Sequence, residues 1–504
     1  MHTSIKRNVT VAVISSLMAF GSSSCQKDLL DPVPKTLFSD QVVFDTPARI
    51  ELQMDGLYSY VKTGSFLGGR YQVYGDVRAN DFVNRTSNAV TALSVWNHTV
   101  TETSQNDVIN LWTSAYAAIN QANVFLAGLD ANSAKFVAPV FAADFAAKKV
   151  PNYQGEARFL RALCYYSLLQ LYARPYADGN GSKPGLPLRL LAETNALNND
   201  LARSSVAEVY AQILSDLDFA EQNLPLSYTA AVQSVPATTL NVTRAHRNTA
   251  IALKTRVYLS MAKYADVIRE ADKIVPAAAP FTAATGVPNS LNASIAAVFA
   301  PPQETTESIL SFPFTAQNTP GTQNQLAYYF SPGPIGNGEY GLNTGAGGIL
   351  SNPAWAATDA RRTNFVTVVN SESFLKKYAT GSPYTDKAPV IRYAEVLLSL
   401  AEARFRTAGP TDARALALLN AVRTRSNPAG AYAAFASTTE AVDAVLLERR
   451  IEFLGEGIRN IDIMRLNATI PGKGTVSAVA PDNPLYVWPI PATELATNRA
   501  MTRN

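Results

Sequence analysis

The strongest constraint in this 504-residue chain is apolar residues recurring at the three-to-four spacing of amphipathic helices. In residues 107–129, Ile109, Trp112, Tyr116, Ile119 and Val124 fall near one stripe. Residues 154–172 repeat the pattern with Phe159, Leu160, Leu163, Tyr166 and Leu169. Residues 205–223 open with Ser204 or Ser205 as N-cap, carry Glu208 at capping-box spacing, and close at Pro225. A helix pair is predicted over 245–275, and helical patterning returns at 389–408, 411–426 and 439–466. Helix–turn–helix units recurring roughly every 35–45 residues suggest tetratricopeptide-like pairs. About four such pairs would stack into a superhelical scaffold.

The middle of the chain is different. Residues 313–348 are rich in Gly, Pro, Asn and Gln and hold a single charge, Glu339. That composition speaks against helix. Short strands are expected near 308–314 and 374–378, and a Pro-punctuated extended tail over 484–498. The fold class is therefore mostly α: tetratricopeptide-like helix pairs in a superhelical scaffold, with an irregular loop-rich subregion and few short strands. The scaffold is assigned to about 40–275 and 385–470, and the loop-rich binding subregion to about 276–384.

The chain begins with a basic stretch containing Lys6 and Arg7, then the apolar run VTVAVISSLMAFG, then small residues ending at Cys25. This order is that of an export signal, too short in its apolar part to span a bilayer comfortably. Residues 1–24 are expected to be removed as a lipoprotein signal peptide, with Cys25 lipidated. The other cysteine, Cys164, then has no partner and is expected to be a small buried apolar residue.

Composition removes several function classes. The formal net charge of +3 gives no overall electrostatic case for nucleic acid, and none is expected as a partner. Two Cys and three His are too few and too scattered for a conventional zinc site. There is no GxxxxGK[ST], no strand-linked GxGxxG and no GxSxG. No cofactor is expected.

Charged clusters at helical spacing stand out. Glu448, Glu452 and Glu456 follow one another at i, i+4 and i+8 with Arg449, Arg450 and Arg459 nearby. Glu156 stands with Arg158 and Arg161, and Glu395 and Glu402 with Arg392 and Arg406. A glycosidase would need two carboxylates flanking a cleft, roughly 5–9.5 Å apart. Glu with Arg three or four residues away more often braces helices, and that is the expectation here.

Aromatic residues within the helices, and Trp488 in the tail, are expected to pack. Those in loops suit a different chemistry. A sugar offers apolar C–H faces to a flat ring and hydroxyls to amides and charged groups. Residues 68–98 mix aromatics with Asn, Gln, Arg and Asp, and residues 323–343 mix them with Asn and Gln. The candidate ligand-binding residues are Trp96, Arg78, Tyr328, Tyr329, Tyr340, Tyr74 and Trp355. Asp76 and Asp81 offer oxygen ligands for Ca²⁺, though without an EF-hand loop, and no metal site is assigned.

In order along the chain, Leu30-Asp31-Pro32, GEARFLRALCYYSLLQLYARPY, SSVAEVYAQILSDLDFA, IRYAEVLLSLAEARF, LLERRIEFLGEGIRNIDIMR and VWPIPATEL resemble the SusD/RagB family of outer-membrane nutrient-binding lipoproteins. The resemblance covers nearly all of residues 25–504. It implies a non-enzymatic binder on the cell surface, held in the outer membrane by its N-terminal lipid. Such a protein would capture an oligo- or polysaccharide and deliver it to a SusC-like TonB-dependent transporter. The alternatives are the same role with a peptide ligand, or a surface glycosidase.

Overall fold

The computed structural model describes residues 42–504, so the leader and Cys25 lie outside the described residues. Helices make up 47% and strands 7%, in keeping with the periodicity. The first half contributes α1 (Pro47–Val61), α2 (Arg70–Val77), α3 (Leu93–Trp96), α4 (Asn110–Ala131), α5 (Phe145–Tyr172), α6 (Val206–Asn223), α7 (Arg247–Ser260) and α8 (Tyr264–Ala271). A short α9 (Leu326–Phe330) lies in the loop-rich segment. It is followed by α10 (Tyr393–Ala408), α11 (Ala413–Ser426), α12 (Thr438–Glu452) and α13 (Ile458–Arg465).

Local chemistry sets the helix ends. Ser205 is the N-cap of α6: its hydroxyl accepts from Glu208 N at 3.2 Å, while Glu208 Oε2 accepts from Ser205 N at 2.7 Å. Helix α5 starts nine residues before the periodic stretch at 154. The extra turns are anchored by Phe145, whose ring lies 5.6 Å from Phe136 and 4.7 Å from Phe141. The pattern over 439–466 resolves into two helices because Gly455 and Gly457 turn the chain at φ 84° and 81°. That corner is also a close contact. A Cβ on Gly75 would lie 2.2 Å from the Gly457 carbonyl oxygen. Gly457 N donates to Asp76 Oδ2 at 2.7 Å.

The helices pack in sequence, α1 on α4, α4 on α5, α5 on α6, α6 on α7, then α8 on α10 and α10 on α11 and α12. One apolar core runs through both halves, from Val43 to Met501. Trp488 is buried in it, with Tyr74 5.1 Å and Tyr172 5.5 Å away in edge contacts. Cys164 is fully buried, and burial pushes its thiol pKa up. Three antiparallel strand pairs decorate the scaffold: β1 (Phe82–Asn84) with β3 (Tyr340–Leu342), β2 (Ser308–Phe312) with β6 (Ala388–Arg392), and β4 (Val366–Val369) with β5 (Glu372–Leu375). Among the described residues no helix is long and apolar enough to cross a membrane.

The helical carboxylates are taken up by arginines. Glu156 accepts from Arg244 at 2.8 and 2.9 Å, and Glu402 from Arg465 at 2.6 and 2.8 Å. Asp359, Glu307, Glu448, Glu452 and Glu456 interlock with Arg361, Arg392, Arg423, Arg425 and Lys377 in one buried network. Five acids face five bases, so the network is neutral. None of its carboxylates faces an open cleft.

Candidate functional site

The two aromatic, amide-rich stretches lie some 250 residues apart in sequence but meet in space. Strand β1 pairs with β3 in the register Phe82↔Leu342, Val83↔Gly341, Asn84↔Tyr340. Asn343 extends the join, donating from N to Asp81 O at 2.8 Å and from Nδ2 to Asn80 O at 2.7 Å. Glu339, the one charge of residues 313–348, is fully buried beneath the join. It accepts from Thr91 Oγ1 at 2.7 Å, from Asn337 Nδ2 at 2.5 Å and from Thr86 Oγ1. A buried carboxylate with three donors is a tie between loops. Tyr340 adds another, donating from its hydroxyl to Thr91 O at 2.7 Å.

Two of the nominated side chains, one from each stretch, keep exposed surface. Trp96, at the end of α3, is half-buried and donates from Nε1 to Phe82 O at 2.9 Å. Lys473 Nζ lies 5.6 Å from its ring centroid. Tyr328, on α9, is half-buried, with its hydroxyl 3.4 Å from Gln323 Nε2. Asn84, Arg85, Gln323 and Asn337 are among the partly or fully exposed polar residues of the two joined stretches. Arg85 is fixed by an ion pair with Glu372 and lies 4.7 Å over the Phe374 ring.

The other five nominated residues are interior, which corrects their reading as ligand contacts. Tyr329 and Tyr340 are fully buried, 6.3 Å apart and stacked, and Tyr329 donates to Gln323 O at 2.9 Å. Adjacent residues on a helix point about 100° apart, so Tyr328 faces outward while Tyr329 packs inward. Tyr74 is buried and donates to Asp107 Oδ1 at 2.9 Å. Trp355 is buried under the guanidinium of Arg362, 5.7 Å away. Arg78 donates to Asn460 Oδ1 and to Tyr486 O, each at 2.8 Å, and burial lowers its pKa to about 10.

The two aspartates do not form a cation site. Asp81 accepts from Arg450 at 2.5–3.1 Å and from Ile349 N at 2.8 Å. Asp76 is bound to Gly457 N, and burial raises its pKa to about 8. Among the described residues no group of His, Cys, Asp and Glu is placed to hold a metal ion. Sequence reading passed over Arg85, Asn84, Gln323 and Asn337. The only signal for them was their place within the two nominated stretches, and which of those polar residues are brought together depends on the β1–β3 register.

A model described as the SusD family matches residues 322–504, and one described as starch-binding, associating with the outer membrane, matches residues 35–259. The crystal structure of a SusD superfamily protein from Bacteroides fragilis superposes with a TM-score of 0.77 at 33% identity, covering 91% of this chain and all of that one. The chain belongs to the SusD family. SusD-like protein P38 of Formosa agariphila is 22% identical over 99% of both chains. Surface glycan-binding protein A from Bacteroides uniformis shares the SusD fold, with a TM-score of 0.68 at 20% identity over 91% of this chain and 99% of its own. As a SusD-family protein, the chain has a fold and a family that agree with its ordered sequence motifs.

Proposed function

We propose that this SusD-family protein is a cell-surface lipoprotein. In this reading it binds a nutrient oligo- or polysaccharide and delivers it to a SusC-like TonB-dependent transporter. The observation that carries the reading is the β1–β3 join, which lays residues 82–84 of the first stretch against 340–342 of the second, each stretch carrying one half-buried ring, Trp96 and Tyr328. Half-exposed rings give flat apolar faces for sugar C–H groups, and the exposed polar residues give donors and acceptors for hydroxyls. A family model described as starch-binding and the fold shared with a surface glycan-binding protein support the same ligand class. The protein acts as a binder: Glu339 and the helical carboxylates are already committed to internal donors. Anchoring is assigned to a lipid on Cys25.

A glycan-array screen of residues 26–504, with each ligand checked for cleavage after incubation, tests the reading. Retention of a glycan without turnover is the expected result. Cleavage would make the protein an enzyme, and retention of peptides alone would replace the ligand class. Cys25→Ala is expected to move the protein from the membrane fraction to the soluble fraction; its persistence at the membrane would remove the anchor.

A further inference from the structure

A groove between α1 and α4 lies outside the loop patch. It consists of two hollows of about 200 and 500 Å³ that share Gly56 and Tyr60. Its floor is open because Gly56 has no side chain: a Cβ there would meet nothing within 4 Å. Tyr60, 46% exposed, stands beside that floor. Gln53, Thr113 and Gln121 line the same walls, and among the described residues their side chains bond to nothing else in the protein. Among the described residues no charged side chain lines either hollow.

The groove also leads toward the loop patch. Its Thr63 end adjoins Gly64, which packs so closely on the 320–324 turn that a Cβ would lie 1.9 Å from Pro320 O. Arg70 Nε donates to Asn324 Oδ1 at 2.6 Å, holding in place the turn that carries Gln323 and leads into Tyr328. Lys62 Nζ donates to Pro313 O at 2.8 Å and ties α1 to the same segment.

We infer that the α1–α4 groove is a second contact surface for an uncharged oligosaccharide, taking the part of a chain that extends beyond the Tyr328 patch. This rests on the glycan reading above. The Tyr60 ring supplies a platform for a sugar face. Unpaired amides and a hydroxyl supply hydroxyl partners without desolvating any charge, which selects a neutral ligand over a sulfated or carboxylated one. A groove whose Thr63 end adjoins the turn that carries Gln323 makes the occupant a chain of several units.

Gly56→Trp tests this directly. Gly within a helix is the least favourable residue apart from Pro, so replacing it on an open face keeps or raises the melting temperature while filling the groove. The probes are size ladders of uncharged malto-, laminari- and xylo-oligosaccharides from two to eight units, with heparin fragments as the charged control. The wild type is expected to gain roughly tenfold or more in affinity between three and seven units on a ladder it binds. Gly56→Trp is expected to cut that gain to less than about twofold while sparing the shortest bound member. Tyr60→Ala should lose roughly three- to tenfold on the long members only. A length-dependent gain that survives Gly56→Trp, or a preference for heparin fragments, overturns the inference and leaves the loop site standing. A change of oligomeric state in Gly56→Trp without a change in affinity reassigns the groove to a second copy of the chain and also overturns it. Wild-type protein that binds none of the uncharged ladders overturns the inference, whereas the glycan reading itself falls only if the glycan-array screen retains no glycan.

Discussion

Glu452 accepts from Arg361 at 3.0 Å, Arg392 at 2.9 Å and Arg425 at 2.5 Å, with no exposed surface. Burial works against its charge, but the guanidiniums of Arg425, Arg392 and Arg361 outweigh it and hold its carboxyl well below the usual range. Glu452→Ala leaves three buried cations short of a counter-charge, and a loss of about 3–5 kcal/mol in urea unfolding is expected. Glycan affinity of the folded fraction should not change. Trp96→Ala and Tyr328→Ala should each weaken glycan binding by ~1–3 kcal/mol, by analogy with other stacking platforms, while Tyr329→Phe should not weaken it. Calorimetric titration against the array-selected glycan distinguishes the two classes. His246 is fully buried, and burial lowers its pKa to about 4 from the ordinary 6.5. Between those values the unfolded chain takes up a proton that the folded chain refuses. Stability therefore falls as pH drops from 6.5 toward 4, at up to about 1.4 kcal/mol per pH unit, and is insensitive to this group above 6.5. His246→Gln should reduce the difference in urea midpoint between pH 7 and pH 5; an unchanged difference would place the effect elsewhere.

Among the elements, the boundary of α6 was readable in advance because a capping box is a contact between neighbours in sequence. Ser205→Ala should cost about 1 kcal/mol, and thermal unfolding with Ser205→Thr as the conservative control checks it. The break between α12 and α13 was not readable from periodicity, since apolar spacing continues across it. The two glycines turn there because α2 presses its Gly75 against the corner. The β1–β3 join was likewise invisible locally, each strand being three residues long. Glu339 is the residue that couples the two loops, so Glu339→Ala should weaken glycan binding even though its carboxylate never reaches the surface. If the affinity stays intact, the join does not organise the site.

At the scale of the molecule, the halves share one core, and β2–β6 and the Arg256–Glu395 pair at 2.6 Å bind them across the loop-rich segment. Perturbing either half should therefore move one transition. Ser205→Ala in the first half and Glu452→Ala in the second should shift coincident fluorescence and circular-dichroism midpoints, not separate them. Helical class and the superhelical pairing were present in the sequence, because amphipathic spacing and helix caps act over three or four residues. That Glu448, Glu452 and Glu456 are ion-paired was expected too, but not with which groups: Arg361, Arg392, Arg423, Arg425 and Lys377 come from other elements, while the neighbouring Arg449 and Arg450 turn to Asp462 and Asp81. The two stretches that form the patch were also present as compositions. Which of their aromatics face outward was decided only in three dimensions. Tyr328 and Tyr329 have the same side chain and are neighbours, yet a single turn of α9 and the packing of Tyr340 leave one half-exposed and bury the other. Exposure depends on what the rest of the chain lays over a residue, here Tyr340 from the same loop-rich segment and, through the β1–β3 join, the distant first stretch.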